Sequence, residues 1–227
     1  ISLSKRIVNR FMGTVMQAYA QGQRAAQKES HDGAYMRGAE DMLEALEKAE
    51  NFIFMEYFIV DNGEAFQKIR EILVRKAQTG VEVRLMYDDF GSIGYVNLEF
   101  ARELNRQSIQ CRVFNPAMPI LNLFMNHRDH RKIAVIDGKV AFTGGYNLAD
   151  EYFDLARPYG HWKDTGIRLE GDAVQSMTAA FLELWCVTER KEENFERYLT
   201  IAHNIPAQGL VQPYTDSPLD QEPTAEN

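Results

Sequence analysis

Short apolar stretches typical of buried strands alternate along this chain with segments whose apolar residues recur at helical spacing. The predicted strands cover residues 52–60, 81–87, 110–114, 131–136, 140–143 and 165–169. The predicted helices cover residues 39–49, 64–78, 98–106 and 172–188. Strand–helix alternation that ends with a hairpin predicts an α/β sandwich, in which helices flank a mixed β-sheet.

The predicted hairpin over residues 131–143 carries the most informative chemistry. Asp137-Gly138 supplies a turn of the kind that tolerates positive φ. Because side chains alternate along a strand, His130 and Lys132 are predicted to point to the same face. A neutral imidazole can attack phosphorus or protonate a leaving alkoxide, and an ammonium suits a phosphate oxygen. The pair therefore predicts chemistry on a phosphodiester.

Residues at the turn and after the hairpin extend this candidate site. Gly144 and Gly145 would let backbone amides approach a phosphate closely, and Asn147 could donate to a phosphoryl oxygen. Asp137 falls on the opposite strand face, so we expect a structural role in which it accepts hydrogen bonds that fix the hairpin. No residue cluster has convincing metal-ligand spacing, and we expect neither a metal nor another cofactor.

The spacing H-x-K-x4-D, followed by G-G-x-N, resembles the signature of the phospholipase D superfamily. Longer stretches resemble bacterial cardiolipin synthases, and they cover residues 55–59, 86–92, 113–116, 126–139, 143–152, 162–171 and 212–220. The resemblance implies a phospholipase D-like α/β/α sandwich. It also implies a phosphatidyltransferase of phospholipid biosynthesis.

This resemblance assigns expected roles to four residues. Two phosphatidylglycerols would be joined into cardiolipin plus glycerol through a phosphatidyl-histidine intermediate, with His130 as one of the motif histidines. Lys132 and Asn147 would stabilise the phosphoryl oxygens. Asp164 is implied to orient the histidine, and an ordinary role at a strand end is the alternative.

Three further carboxylates are secondary candidates. Glu56 shares a strand face with aromatic residues, where a buried carboxylate either pairs with a core arginine or takes part in catalysis. Asp88 and Asp89 end a strand, where sites of α/β proteins gather. They could hold a headgroup hydroxyl or a lysine, or they could cap the loop. His161 and Lys163 repeat the H-x-K spacing, but no glycine pair follows, so a second motif is not expected there.

Enzymes of this superfamily use two such motifs, so a single motif predicts half of an active site. We expect the other half from a second motif-bearing domain of the same polypeptide or from a homodimer that shares one cleft. The expected organisation is an amphipathic helix and linker in 1–33, a phospholipase D-like domain in 34–207, and a linker in 208–227 that leads towards the second domain.

The net charge of −8 argues against a nucleic-acid-binding surface, and we expect a phospholipid substrate and a membrane surface as partners. The apolar stretches Leu3–Tyr19 and Pro119–Met125 would contact lipid or pack on the domain itself. No run is long enough to span a bilayer, so this chain is expected to be soluble and the full-length protein to lie at the bacterial cytoplasmic membrane.

Two other functions stay open at this point. A homodimeric phosphodiesterase or nuclease with one motif per chain would cleave nucleic acid or model diesters without a second domain. A non-catalytic lipid-binding domain would carry a vestigial motif, against which the intact His130, Lys132, Asn147 and Asp164 argue.

Overall fold

The computed structural model describes residues 31–116, 128–158, 160, 164–199 and 211–215. The strands are β1 Phe52–Tyr57, β2 Glu82–Asp88, β3 Gln110–Phe114, β4 Ile133–Ile136, β5 Val140–Gly144 and β6 Gly166–Glu170. The α-helices are α1 His31–Glu47, α2 Glu64–Gln78, α3 Asp89–Ser92, α4 Phe100–Arg106 and α5 Ala173–Glu189. Two 3-10 helices cover Asp150–Phe153 and Glu196–Tyr198.

The strands form one mixed sheet in the order β3-β2-β1-β4-β5-β6. β1, β2 and β3 are parallel to one another, whereas β4 runs antiparallel to β1, and β5 and β6 continue in antiparallel fashion. The predicted α/β sandwich with a mixed sheet is confirmed.

Two hydrophobic cores lie on opposite faces of this sheet. Alternate residues of β1 enter different cores, because side chains of a strand point alternately to its two faces. Ile53 and Tyr57 pack with α1, α2 and α4 in one core, and Phe54 packs with α5 in the other. In the second core the ring of Phe54 stacks on Phe181 with 4.8 Å between centroids.

Most predicted elements have the observed type and lie within two residues of their predicted ends. β1 ends at Tyr57 rather than at residue 60, because the Ile59 amide donates to the Asn147 side chain and Val60 forms an isolated bridge with Leu148. The helix predicted to begin at residue 39 begins at His31. The strand predicted from residue 131 begins at Ile133. Residues before it donate their backbone amides to side-chain carboxylates and not to a neighbouring strand.

The turn between β4 and β5 has the predicted backbone conformation. Asp137 and Gly138 have φ angles of 53° and 63°, so both lie in the left-handed region. The Asp137 carboxylate accepts hydrogen bonds from the amides of Glu50, Asn51 and Phe52 at 2.8, 2.7 and 2.9 Å. Its bonds therefore join the hairpin to the start of β1, rather than fixing the hairpin itself as predicted.

Strand direction places the candidate site residues at one edge of the sheet. The parallel strands β1 and β2 end there, at Tyr57 and Asp88. Because β4 is antiparallel to β1, its first residue, Ile133, pairs with Glu56 near the same edge. β5 ends and β6 begins there too, since Gly144 pairs with Gly166.

Other predicted features lie outside the described residues. They are the amphipathic helix over Leu3–Tyr19 and the apolar segment Pro119–Met125. Of the helices in the described ranges, none combines the length and the apolar character needed to cross a bilayer.

Replacing Asp137 by Ala should lower the free energy of unfolding by about 3–5 kcal/mol, because three amides, of which that of Phe52 is buried, lose a charged acceptor and Ala is strained at positive φ. Urea denaturation followed by circular dichroism measures the change. Asp137→Asn is the matched control: it keeps one acceptor oxygen and tolerates this conformation, so we expect a cost of about 1–2 kcal/mol. Equal losses in both variants would contradict this account.

Candidate active site

His130 and Lys132 meet around the ring of Phe58, which follows β1. The imidazole of His130 packs with 4.8 Å between ring centroids, and the Nζ atom of Lys132 lies 5.5 Å from the centroid of the same ring. Neither residue lies in a strand, because residues 128–132 have no regular secondary structure. The two side chains are thus neighbours, but through a shared aromatic ring and not through strand alternation as predicted.

Desolvation shifts the pKa values of both groups, although Lys132 is buried and His130 is exposed at the surface. It lowers the pKa of the His130 imidazole, which Lys132 lowers further, while Asp129 and Asp88 act in the opposite direction. The neutral form needed for attack is therefore favoured near pH 7. Burial also lowers the pKa of Lys132 to about 8, against the attraction of Asp129 and Asp164.

The Lys132 ammonium is held in place at the site. Its Nζ donates to the backbone carbonyl of His130 at 2.6 Å, and the residue is only 4% exposed. An ammonium with a fixed position and poor hydration is well prepared to bind an anion, because little water must be removed.

Asp88 fixes the segment that carries His130. It is fully buried, and its carboxylate accepts from the Asp129 amide at 3.0 Å and from Nη1 of Arg128 at 3.3 Å. It also accepts from the Gly91 amide at 3.1 Å at the start of α3. Of the alternatives given for Asp88, capping of the loop is thus observed. Asp89 is the half-buried first residue of α3.

Asn147 follows β5, which ends at Gly144, and its carboxamide has a fixed orientation. Its Oδ1 accepts from the Ile59 amide at 3.0 Å, and the residue is 2% exposed. The side-chain carbonyl is therefore engaged, and the NH2 group, which also interacts with the Tyr152 hydroxyl, is the end that can donate.

Asp164 lies just before β6, at the same edge of the sheet. Its Oδ1 accepts from the Thr165 amide at 2.7 Å, and its charge acts on Lys132. Asp164 and His130 both lie in the described part of the chain, and they form no hydrogen bond with each other. The proposed role of Asp164 as the orienting carboxylate therefore stays a prediction.

The structure shows a packing reason for the glycine pair, and its expected approach to a phosphate stays a prediction. The Gly145 amide donates to the carbonyl of Thr165 at 3.1 Å and is thus engaged. A Cβ atom on Gly145 would collide with Oδ1 of Asp164, and one on Gly144 would collide with the Thr165 carbonyl. The glycines are needed because β6 and Asp164 approach closely.

Glu56 is fully buried, as its aromatic surroundings suggested, and its Oε1 lies 2.6 Å from Nε of Arg131. The arginine therefore comes from the motif itself. Three residues that contact the site were missed in the sequence: Asp129, Arg131 and Phe58. The H-x-K pattern specifies only its first and third residues, so it includes neither the residue between them, nor the one before them, nor an aromatic residue from a distant part of the chain. His127, His161 and Lys163 lie outside the described residues.

Within the described ranges, no three His, Cys, Asp or Glu side chains are arranged to hold a metal ion. What the structure assembles is an imidazole that favours its neutral form, an ammonium and a carboxamide at one edge of the sheet. The imidazole can attack a phosphorus atom, and the ammonium and the carboxamide can stabilise the charge on its oxygens.

Comparison with known proteins gives relatives for most of the chain. A family model described as "Cardiolipin synthase, PLD-like domain" matches residues 42–185. An uncharacterized protein of Streptococcus mutans is 48% identical over 189 residues, which are 83% of this chain and 41% of that protein. A cardiolipin synthase of Oceanobacillus iheyensis is 35% identical over 182 residues, 79% of this chain and 38% of that protein. This chain thus spans about two fifths of these relatives' length.

Among solved structures, the phosphatidylserine synthase of Haemophilus influenzae resembles this chain with a TM-score of 0.51. The two are 12% identical, and the match covers 81% of this chain and 40% of that one. At this identity the likeness concerns the fold alone.

Replacing Gly145 by Ala should displace Asp164 and lower the free energy of unfolding by about 1–3 kcal/mol, because the added methyl group collides with the carboxylate. Thermal or urea unfolding measures the loss. Gly94→Ala is the matched control, since a Cβ there meets nothing within 4 Å. Equal stability of the two variants would show that the close approach of Asp164 is not a constraint.

Proposed function

We propose, since this chain belongs to the cardiolipin synthase family of phospholipase D-like domains, that it supplies half of the active site of a phosphatidyltransferase. The enzyme would join two phosphatidylglycerols into cardiolipin plus glycerol. The observation that carries the proposal is the arrangement of His130 and Lys132 around Phe58.

The reaction proceeds in two transfers at phosphorus. A motif histidine attacks the phosphorus of one phosphatidylglycerol, the bond to the glycerol headgroup oxygen breaks, and the histidine of the other motif gives that oxygen a proton. A hydroxyl of the second phosphatidylglycerol then attacks the phosphorus of the phosphatidyl-histidine and loses its proton to the other histidine. The phosphorus–nitrogen bond breaks, which frees the attacking histidine and gives cardiolipin. His130 supplies one of these two histidines.

The electrostatics of the site support each assigned role. The lowered pKa of His130 favours the unprotonated ring that an attack requires, or a ring that returns a proton readily. Lys132 faces the phosphoryl oxygens. Burial disfavours its charged form when no anion is bound, so a bound phosphodiester stabilises the ammonium. The Asn147 amide adds a neutral donor.

An apolar surface beside the site supports a lipid substrate rather than a nucleic acid. It consists of residues 90–98, the end of α3 and the segment after it, which we call the apolar loop. Residues 90–98 contain no charged side chain, and Phe90, Ile93 and Leu98 are 54%, 65% and 90% exposed. Gly91 of this loop lies against Phe58, which contacts His130. An exposed apolar surface next to His130 suits acyl chains and a bilayer better than a polyanionic nucleic acid. The cation against this surface, the Arg128 guanidinium 5.3 Å from the centroid of the Phe90 ring, is paired with Asp88.

The second half of the active site is part of the proposal. We assign it to a second motif-bearing domain of the same polypeptide, because the relatives are more than twice as long as the matched region. A second copy of this chain is the alternative source. The proposed location is the surface of the bacterial cytoplasmic membrane.

A polypeptide that carries both motifs should convert phosphatidylglycerol in mixed micelles, with EDTA present, into cardiolipin and glycerol. His130→Ala should lower turnover by about 10³-fold or more, because the nucleophile or proton donor is lost, while circular dichroism stays unchanged. Lys132→Ala should also lower turnover strongly. Lys139→Ala is the matched control in the same hairpin, since Lys139 is exposed and pairs with Glu50 away from the site.

Three outcomes of this assay separate the alternatives. Near-normal turnover by the His130→Ala protein would refute the assignment. Phosphatidic acid in place of cardiolipin would show hydrolysis, with water as the acceptor. Cleavage of nucleic acid or a model diester by this chain alone would favour the homodimeric phosphodiesterase.

Leu98→Glu and Ile93→Glu should each weaken binding of the chain to phosphatidylglycerol vesicles by about tenfold. Each change removes an apolar side chain that would be buried in the bilayer and adds a carboxylate that the anionic surface repels. Co-sedimentation measures the binding. Val187→Glu is the matched control, because Val187 is 65% exposed on α5, away from the site. Equal losses in all three variants would remove the support that the loop gives to a lipid substrate.

A further inference from the structure

Glu56 is an ionisable group buried near the end of β1, which is a central strand of the sheet. It is 0% exposed, and its neighbours in register on the adjacent strands are Met86 and Ile133, neither of which is charged. Among the described residues, the charged groups that face it are Asp129 and Arg131, and α5 adds Glu183 beside Arg131. A buried carboxylate requires a partner in each of its hydrogen-bonding positions or a proton of its own.

The hydrogen bonds of Arg131 do not satisfy Glu56. Nε of Arg131 lies 2.6 Å from Oε1 of Glu56, but its single hydrogen is directed at Oδ1 of Asp129, 3.3 Å away. Within the described part of the chain, both carboxyl oxygens of Glu56 lack a donor, and so does Oδ2 of Asp129. Three buried acceptor atoms around one arginine are therefore left without hydrogen bonds.

One proton would satisfy atoms on both carboxyl groups. The carboxyl groups of Glu56 and Asp129 are neighbours, because Oε1 of Glu56 and Oδ1 of Asp129 lie 2.6 and 3.3 Å from the same atom, Nε of Arg131. If Glu56 carries a proton, its hydroxyl can donate to the unpaired oxygen of Asp129. Burial acts in the same direction, since it raises the pKa of Glu56 well above the usual value against the attraction of Arg131.

We propose that Glu56 is a positioning residue that is protonated in the folded protein and donates its hydrogen to Asp129. Asp129 and Arg131 are the residues on either side of His130. Oδ1 of Asp129 accepts from both the amide and Nε of Arg131, at 3.2 and 3.3 Å, and Nη1 of Arg131 reaches the carbonyl of Ala180 on α5 at 3.5 Å. Glu56 thereby fixes the backbone on both sides of the motif histidine.

Ionisation of Glu56 would break this arrangement. A second buried carboxylate would repel Asp129 and compete with it for Arg131, so the turn around His130 would shift. The folded chain holds a proton that the unfolded chain releases above about pH 4.3. The stabilisation is therefore complete below that pH and is lost as the pH rises towards the raised pKa of the folded state.

Comparison of the wild-type chain with Glu56→Gln tests the protonation directly. The Gln amide donates as the protonated acid does but does not titrate. Between pH 5 and 8, the unfolding equilibrium constant of the wild-type chain should rise relative to that of Glu56→Gln, by tenfold per pH unit over the window where only the folded chain is protonated. Glu71→Gln, on the exposed side of α2, is the matched control and should give no such trend.

Infrared spectroscopy provides a second measurement that a purely structural role would not change. The difference spectrum between the wild-type and Glu56→Gln chains at pH 7 should contain the carbonyl band of one protonated carboxylic acid. A carboxylate band in its place would overturn the proposal. So would a ratio of unfolding constants that is flat with pH, or one that moves in the other direction.

Turnover tests the positioning role and rests on the proposed function. In the polypeptide with both motifs, Glu56→Gln should stay within about threefold of the wild-type kcat, whereas Glu56→Met, of similar length but without a donor, should lose tenfold or more with little change in KM. Equal activities of the folded variants would overturn the positioning role. Because the unfolding and infrared measurements need no substrate, they remain valid if the proposed reaction is wrong.

Discussion

The antiparallel pairing of β4 with β1 is the constraint on which the candidate site depends. Parallel strands alone would place the residues before β4 at the opposite edge of the sheet, away from the ends of β1 and β2. The reversal brings Ile133 opposite Glu56, so the segment of His130 and Lys132 meets Phe58 and Asp88. Two further antiparallel strands bring Asn147 and Asp164 to the same edge.

Local patterns predicted the fold well because each element is encoded by its own residues. α2 and β3 have their predicted limits, and the turn at Asp137 adopts its predicted backbone conformation. These features depend on periodicity and on turn chemistry within a few residues. They need no knowledge of the rest of the chain.

The site was predicted less fully, since its contacts join distant parts of the chain. The partners of Asp137 are 85 to 87 residues away, and Asp88 binds the amide of Asp129 across 41 residues. No local pattern shows such pairs. The packing of the glycine pair against Asp164 was not predicted for the same reason, because the approach of Asp164 becomes visible only when β6 is in place.

Charge burial explains why the site is built from so many ionic groups. His130 and Lys132 are both less readily protonated than in water, which favours reactivity at His130 and makes Lys132 depend on an anion. The carboxylates behind them restore part of the missing stabilisation and fix the backbone. Removal of one such group leaves another buried charge without its partner, so the group acts as a unit.

Asp88 connects the apolar loop to the motif histidine through a single carboxylate. One of its oxygens holds the Gly91 amide of the loop, and the other holds the Asp129 amide next to His130. Any ligand that displaces residues 90–98 must move this carboxylate or break one of its bonds. Such a displacement would couple the two surfaces thermodynamically, and the coupling would be reciprocal. The change that docking on the loop caused in the affinity at His130 would equal the change that a ligand at His130 caused in docking on the loop.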